Sequence, residues 1–333
     1  MSNTKKTIQN SSRRNFLYQS SLASLGLVLM GKNTLAANSL FLANPSSKIK
    51  GVQIGAITYS FRSMPGSAEQ LIQYCKEAGI TAIELMGDPA EAYAGSPVGI
   101  MPPMTRENFM KSMEERNAKA RAWRETASMD KFIELRKLFN DAGITIYAFK
   151  PDAALGITST DAEIDYAMRA AKALGATSVN VEIPNNAAHS KRLGEFGLKH
   201  KVYVGYHAHL QATDTAWDLA LSQSPYNAIN LDCGHYIAAG GANTTASLLA
   251  FIEKNHDRIT SMHIKDRKNK VNGTKNMPWG EGDTPLKEVL TLLKTKKYKI
   301  PASIELEYDI PAGSDAVKET KKCFEYAKAI LEG

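Results

Sequence analysis

The stretch Ile229-Asn230-Leu231-Asp232-Cys233-Gly234-His235 decides how the chain is read. Ile229 and Leu231 alternate with Asn230 and Asp232, so the two polar residues share one face of a short buried strand. The strand ends on an acid, a turn glycine and a histidine. A carboxylate in such a setting is costly unless it meets a metal or a positive partner. The same ending recurs along the chain. Glu182 follows Val179-Asn180-Val181, and His207 and His209 follow Val202-Tyr203-Val204-Gly205-Tyr206. His263 follows Ile259-Thr260-Ser261-Met262, and Glu305 and Glu307 flank Leu306. These strand ends are expected to meet at one point in space.

Working outward, strands alternate with helices from Gly51 onward. Strands are expected near 52–60, 80–86, 144–150, 177–183, 201–207, 228–232, 258–265 and 302–308. Helices are expected near 67–78, 161–174, 213–222, 244–255, 285–296 and 315–331, and Gly79, Gly143 and Gly175 mark joins from helix to strand. Eight such units predict an α/β fold with a parallel sheet. A closed (β/α)8 TIM barrel, with its active site at the C-terminal ends of the strands, fits better than an open doubly wound sheet. In an open sheet, polar residues would gather only near the switch point. No GxGxxG or P-loop follows the first strand. Residues 87–127 break the rhythm with Gly87-Asp88-Pro89, Gly95-Ser96-Pro97, Met101-Pro102-Pro103-Met104 and a polar helix near 105–124. An insertion there lies on the catalytic face and reads as a lid or a substrate-selecting wall. A second loop, 268–283, offers Trp279 near the same mouth, the kind of surface a sugar packs on.

Composition narrows the class. Of 333 residues, 43% are hydrophobic and 23% charged, which describes a globular protein. The net charge of +7 falls to +2 once Lys5, Lys6, Arg13, Arg14 and Lys32 are set aside, so a nucleic-acid partner is not expected. Cys75, Cys233 and Cys323 form no CxxC pair, and Cys233 is expected in the core. Residues 1–37 resemble a twin-arginine export signal. Ser12-Arg13-Arg14-Asn15-Phe16-Leu17 precedes an apolar run at 22–30, and Ala36 and Ala37 follow. That run is shorter than the ~20 residues of a spanning helix, so no stable membrane anchor is expected. A linker at 38–50, a barrel at 51–333 and a periplasmic location follow.

Glu182, Asp232, His263 and Glu305 make a mixed oxygen and nitrogen set suited to one divalent ion: Mn²⁺, Mg²⁺, Co²⁺ or Zn²⁺. Clustered carboxylates without a cation would be strongly destabilising. Either His207 or His209 can ligate the ion or bind substrate. His235, Lys265 and Lys150 supply hydrogen bonds to a hydroxyl-rich ligand. Glu305 is preferred over Glu307 because Ile304 and Leu306 set it within an apolar strand.

These motifs carry a family resemblance. Val181-Glu182-Ile183-Pro184, Gly205-Tyr206-His207-Ala208-His209, Leu231-Asp232-Cys233-Gly234-His235, His263-Ile264-Lys265-Asp266 and Ile304-Glu305 occur in order. Together they resemble the xylose isomerase-like TIM-barrel superfamily, and within it the sugar phosphate isomerase/epimerase group. The resemblance implies a metal, Mn²⁺ first, held by Asp232, His263, Glu305 and a further acid. In ketose epimerases that acid stands on the fifth strand. Here His207 holds the place and Glu182 is the available replacement, with His207 or His209 the alternatives. The implied chemistry is isomerisation or epimerisation of a sugar or keto-sugar through an enediolate, with Glu182 and Glu305 as acid and base. A lyase or dehydratase acting on a 3-keto-sugar or keto-glycoside is the second expectation, and a non-catalytic exported carbohydrate-binding protein the third. An endonuclease IV-like phosphodiesterase fits the balanced charge poorly. Barrels of this group often dimerise, so a homodimer is also expected.

Overall fold

A computed structural model describes residues 46–99 and 106–333. The export signal at 1–37, most of the linker and the segment Met101–Met104 lie outside the described residues. Eight parallel strands form a closed barrel: β1 (Val52–Ile57), β2 (Ala82–Met86), β3 (Thr145–Lys150), β4 (Ser178–Glu182), β5 (Tyr203–His207), β6 (Asn227–Asp232), β7 (Ile259–Ile264) and β8 (Ala302–Ile304). Each pairs with the next, and β8 pairs with β1, so no barrel edge is left open.

The surrounding helices are α1 (Ala68–Ala78), α2 (Gly87–Tyr93), α3 (Arg106–Thr126), α4 (Asp130–Asp141), α5 (Asp161–Leu174), α6 (Ala187–His200), α7 (Asp218–Gln223), α8 (Cys233–Ala239), α9 (Thr245–Asn255), α10 (Leu286–Lys296) and α11 (Ala316–Glu332). Local sequence explains their limits. Ser67 with Gln70, and Thr160 with Glu163, form capping boxes at the starts of α1 and α5. Gly79 and Gly175 end those helices at φ 79° and 78°, where a side chain would be strained. α1 buries Leu71, Cys75 and Ala78 at helical spacing. The main hydrophobic layer therefore lies between strands and helices, and Phe132, Phe139, Ile164 and Leu290 all belong to it.

The barrel interior is different in kind. Asn230 donates to Ser261 Oγ at 2.7 Å and to Glu84 Oε2 at 3.4 Å, while Asn180 donates to Ser261 Oγ at 3.3 Å. Gly205 makes room for this layer, because a Cβ there would lie 2.3 Å from Asn180 Oδ1. The interior thus supports the mouth with hydrogen bonds rather than with aliphatic packing.

Several elements differ from the sequence expectation. Residues 58–60, expected as the end of the first strand, lie in a turn of 3₁₀ helix, Thr58–Phe61, because Ser60 bonds across to the β8 end instead of continuing the β1 ladder. The helix expected at 213–222 is confined to α7. The preceding Trp217 turns inward to donate to Tyr206 O at 2.8 Å. In the insertion, 87–93 is already helical as α2. Arg124 of α3 is buried between Glu91 of α2 and Glu163 of α5, at 2.9 and 3.2 Å, so this half of the insertion is fastened to the barrel flank. Among the described residues, no helix is long and apolar enough to cross a membrane.

Candidate active site

Asp232 is placed by two local rules at once. It ends β6, and it caps α8, accepting the His235 backbone N–H on Oδ1 at 2.6 Å. Its other oxygen, Oδ2, is thereby free to face the barrel mouth. The register of β6 and β7 sets His263 directly beside it. Glu305 follows β8 and continues its ladder, its N–H donating to Ile264 O at 3.1 Å. His207 ends β5. One donor atom from each of His207, Asp232, His263 and Glu305 lies within 4.8 Å of all the others, and all four residues are buried.

The two histidines are aimed from behind. His263 Nε2 lies 3.0 Å from Glu84 Oε2, and His207 Nδ1 lies 3.1 Å from Glu182 Oε1. When those nitrogens donate to the carboxylates, the lone pairs of His263 Nδ1 and His207 Nε2 point at the shared space. His263 Nδ1 makes no hydrogen bond of its own and sits 3.1 Å from Glu305 Oε2 and 3.8 Å from Asp232 Oδ2. His207 Nε2 is 3.4 Å from Asp232 Oδ2.

Charge at the site is dense. Three buried carboxylates, Glu84, Asp232 and Glu305, surround the histidines. One lysine answers the last two. Lys265 Nζ lies 2.9 Å from Asp232 Oδ2, 2.6 Å from Glu305 Oε2 and 2.7 Å from Glu307 Oε2. Burial alone would lower its pKa, but Asp232, Glu305 and Glu307 overcome this and raise it. Burial would likewise raise the Asp232 and Glu305 carboxyls. His235 and Lys265 around Asp232, and Lys265 and His263 around Glu305, hold both below the usual range instead. His263 is opposed by burial yet pushed up to about 10 by Glu305 and Glu84. His235 goes the other way, to about 3, from burial and the neighbouring Lys265. A two-nitrogen, two-oxygen donor set, in which a bound cation can take the place of the His263 proton, fits a divalent ion of the Mn²⁺, Mg²⁺, Co²⁺ or Zn²⁺ kind.

The structure brings Asp232, His263 and Glu305 together and adds His207 as the fourth donor. Glu182 does not join the cluster. It lies behind His207, 44% exposed, and also receives Lys150 Nζ at 3.1 Å. The physical reason is register: Glu182 pairs with His207 across β4 and β5, so the imidazole stands between that carboxylate and Asp232. His209 is half-exposed in the loop after β5, 3.6 Å from Glu182, with its ring 4.5 Å from that of His235. Glu307 joins Lys265 nearer the mouth. Trp279 packs edge-on against Tyr326 of α11. Its loop is held by Asp266, which accepts N–H groups from Gly280, Gly282 and Thr284. Sequence reasoning passed over Glu84 as a site residue, although it lies between Ile83 and Leu85 just as Glu305 lies between Ile304 and Leu306.

Fold and site define a TIM-barrel protein with a candidate metal centre at the C-terminal mouth. The family model described as the xylose isomerase-like TIM barrel matches residues 72–327, and the chain belongs to that family. Solved structures share the fold at low identity. A sugar phosphate isomerase/epimerase from Parabacteroides distasonis is 16% identical, with 84% of this chain and 96% of that one covered and a TM-score of 0.56. A probable 3-DHS dehydratase from Bacillus anthracis is 17% identical over 82% and 98%, with a TM-score of 0.56. A 3-keto-D-glucoside 4-epimerase from E. coli is 14% identical over 84% and 99%, with a TM-score of 0.53. No curated protein sequence matches the chain.

Proposed function

We propose that this protein is a divalent-metal-dependent isomerase or epimerase of a sugar or keto-sugar, acting by α-proton abstraction through an enediolate. The observation that carries the reading is the convergence of His207, Asp232, His263 and Glu305 donor atoms within 4.8 Å at four adjacent strand ends. Those four residues would hold the ion, Mn²⁺ first. Once bound, it supplies Lewis-acid polarisation of a carbonyl and its neighbouring hydroxyl. The chain's own residues do the rest. Glu182 is kept ionised: burial would raise it, but His207 and Lys150 bring it below the usual carboxylate range. It is therefore ready to take the proton from the carbon next to the carbonyl, the C–H electron pair passing into the enediolate. His209 is close enough to relay that proton. Glu305 and Glu307 face the site from β8, and a proton returned from that side reaches the other face of the carbon. Lys265, Lys150 and His235 bind and orient hydroxyls.

A second reading, elimination of a β-substituent from a keto-sugar or keto-glycoside, is favoured by Lys265. Its ammonium bridges Glu305 and Glu307 and would donate a hydrogen bond that steadies the negative charge on a departing oxygen. The order of residues 12–37 supports export to the periplasm before the protein acts. The test is solvent deuterium exchange into ketoses and 3-keto-glycosides by Mn²⁺-loaded protein. Metal-dependent exchange at one sugar carbon is expected, and product analysis separates epimer from alkene. Failure to retain any divalent ion after reconstitution would overturn the proposal.

A further inference from the structure

Beside the donor cluster, the loops after β1 and β8 border a half-open cavity of about 290 Å³, lined in part by Ser60, Arg62, Ser63, Glu307, Asp309 and Ile310. It opens on the C-terminal face and lies two contacts from the donors: Glu307 Oε2 meets Lys265 Nζ at 2.7 Å, which meets Glu305 Oε2 at 2.6 Å. Its walls are fixed. Ser60 Oγ donates to Ile304 O at 3.1 Å and accepts from Leu306 N at 3.0 Å, tying the two loops together. Arg62 Nη1 donates to Leu306 O at 2.6 Å and Tyr59 O at 3.2 Å. The guanidinium also lies over the Tyr59 ring at 4.4 Å. Its remaining N–H groups, and Glu307 Oε1, make no hydrogen bond among the described residues.

The chemistry of this lining selects a class of ligand. One guanidinium faces two carboxylates, Glu307 and the 97% exposed Asp309, and Lys275 reaches Asp309 only at 4.0 Å. A phosphate dianion would meet as much negative as positive charge here and gain little. A neutral polyol gains on both counts, offering acceptor oxygens to Arg62 and hydroxyl donors to the carboxylates. The volume sits at the lower limit of small-molecule sites, ~300 Å³, and so suits a single ring. We infer that this cavity binds a second sugar ring or a similar hydroxylated aglycone, so that the substrate is an uncharged glycoside of two units. The ring that reacts stands over the donor cluster and the other is gripped by Arg62 and Glu307. This rests on the function proposed above and names its substrate class.

The experiment compares a 3-keto-disaccharide with the methyl glycoside of its reacting ring on the full, Mn²⁺-loaded chain, by calorimetric binding and by KM for deuterium exchange. The two-ring ligand is expected to bind about tenfold more tightly. Arg62→Ala, which removes the grip, and Ser63→Trp, which fills the cavity, should each bring the ratio of the two affinities close to one. Equal affinities in the unsubstituted protein, or a ratio that neither substitution changes, would overturn the inference while leaving enolisation of the one-ring ligand intact. Binding of neither ligand, with no exchange, would sink the proposed function as well. Tighter binding of the 6-phosphate of the one-ring ligand than of the disaccharide would also refute it.

Discussion

Replacing Lys265 by methionine tests the electrostatic account of the site most directly. The ammonium contacts Asp232 Oδ2, Glu305 Oε2 and Glu307 Oε2 at 2.6–2.9 Å, and two of those residues also belong to the four-donor set. Methionine keeps the length and apolar stem and removes the charge. Asp232 and Glu305 then face each other with donor atoms within 4.8 Å. At an effective dielectric of about 20, two unit charges at that distance repel by about 3.5 kcal/mol. This agrees with the ~3–5 kcal/mol lost when one partner of a buried ion pair is removed. For a barrel of this size such a loss lowers Tm by about 5–8 °C. A divalent ion answers the same two oxygens, so metal should repair the variant more than it stabilises the parent. At one Mn²⁺ concentration, a hundredfold above the parent's Kd, binding contributes about 2.7 kcal/mol to the parent and more to the Met variant, whose Kd should be tighter. The assay is thermal unfolding of chelator-treated protein with and without Mn²⁺. A metal-free Met variant that melts with the parent, or an Mn²⁺ shift no larger than the parent's, would refute the reasoning.

Glu84→Gln keeps the shape behind His263 but loses the negative charge. Metal affinity should fall about 10–100-fold in competition with a chelating dye, and unchanged affinity would remove Glu84 from the role of aiming His263. Metal loading at pH 7 should release protons. His263, held protonated up to about pH 10, must give one up to ligate, and calorimetry in buffers of differing ionisation enthalpy reads the count. Zero release would exclude His263 as a ligand. Away from the site, burial acts to raise Asp165, but Lys199, His200 and Arg169 hold it down to about 2. A depressed carboxyl stabilises above its unfolded pKa of 3.8, and that stability is lost as pH falls from there to about 2. Asp165→Asn should therefore cost under ~1 kcal/mol at neutral pH, because the group is well solvated, and the two acid-unfolding curves should converge below about pH 2.

The barrel was legible because its strands are apolar runs that stop abruptly on acids and histidines. Asp232, His263 and Glu305 could be grouped from that pattern alone. Their fourth partner could not. Sequence spacing shows that Glu182 and His207 each end a strand, but it does not show which stands nearer the axis. Only the register of β4 on β5 puts the imidazole in front and the carboxylate behind. The short α7 escaped for a related reason. The run at 213–222 has helical spacing, yet Trp217 spends its indole N–H on Tyr206 O, and the chain stays irregular until that contact is made. Glu84 was within reach. An acid between Ile83 and Leu85 in a strand obeys the rule that selected Glu305, and applying it to every strand would have found the carboxylate behind His263.

The position of Glu84 also explains why the barrel interior is polar. A carboxylate buried beneath a histidine of the donor set must be held in place without being neutralised. Burial alone would raise its pKa, and His263 with Lys150 brings it below the usual range instead. Asn230 donates to its Oε2, and Ser261 ties Asn230 to Asn180. An aliphatic layer at this depth would favour the protonated acid, which would present a hydroxyl to His263 and weaken its hold on the ring's orientation. The amides therefore act on the donor set at one remove. They keep Glu84 anionic, Glu84 fixes which nitrogen of His263 faces the mouth, and that nitrogen lies 3.1 Å from Glu305 Oε2 and 3.8 Å from Asp232 Oδ2.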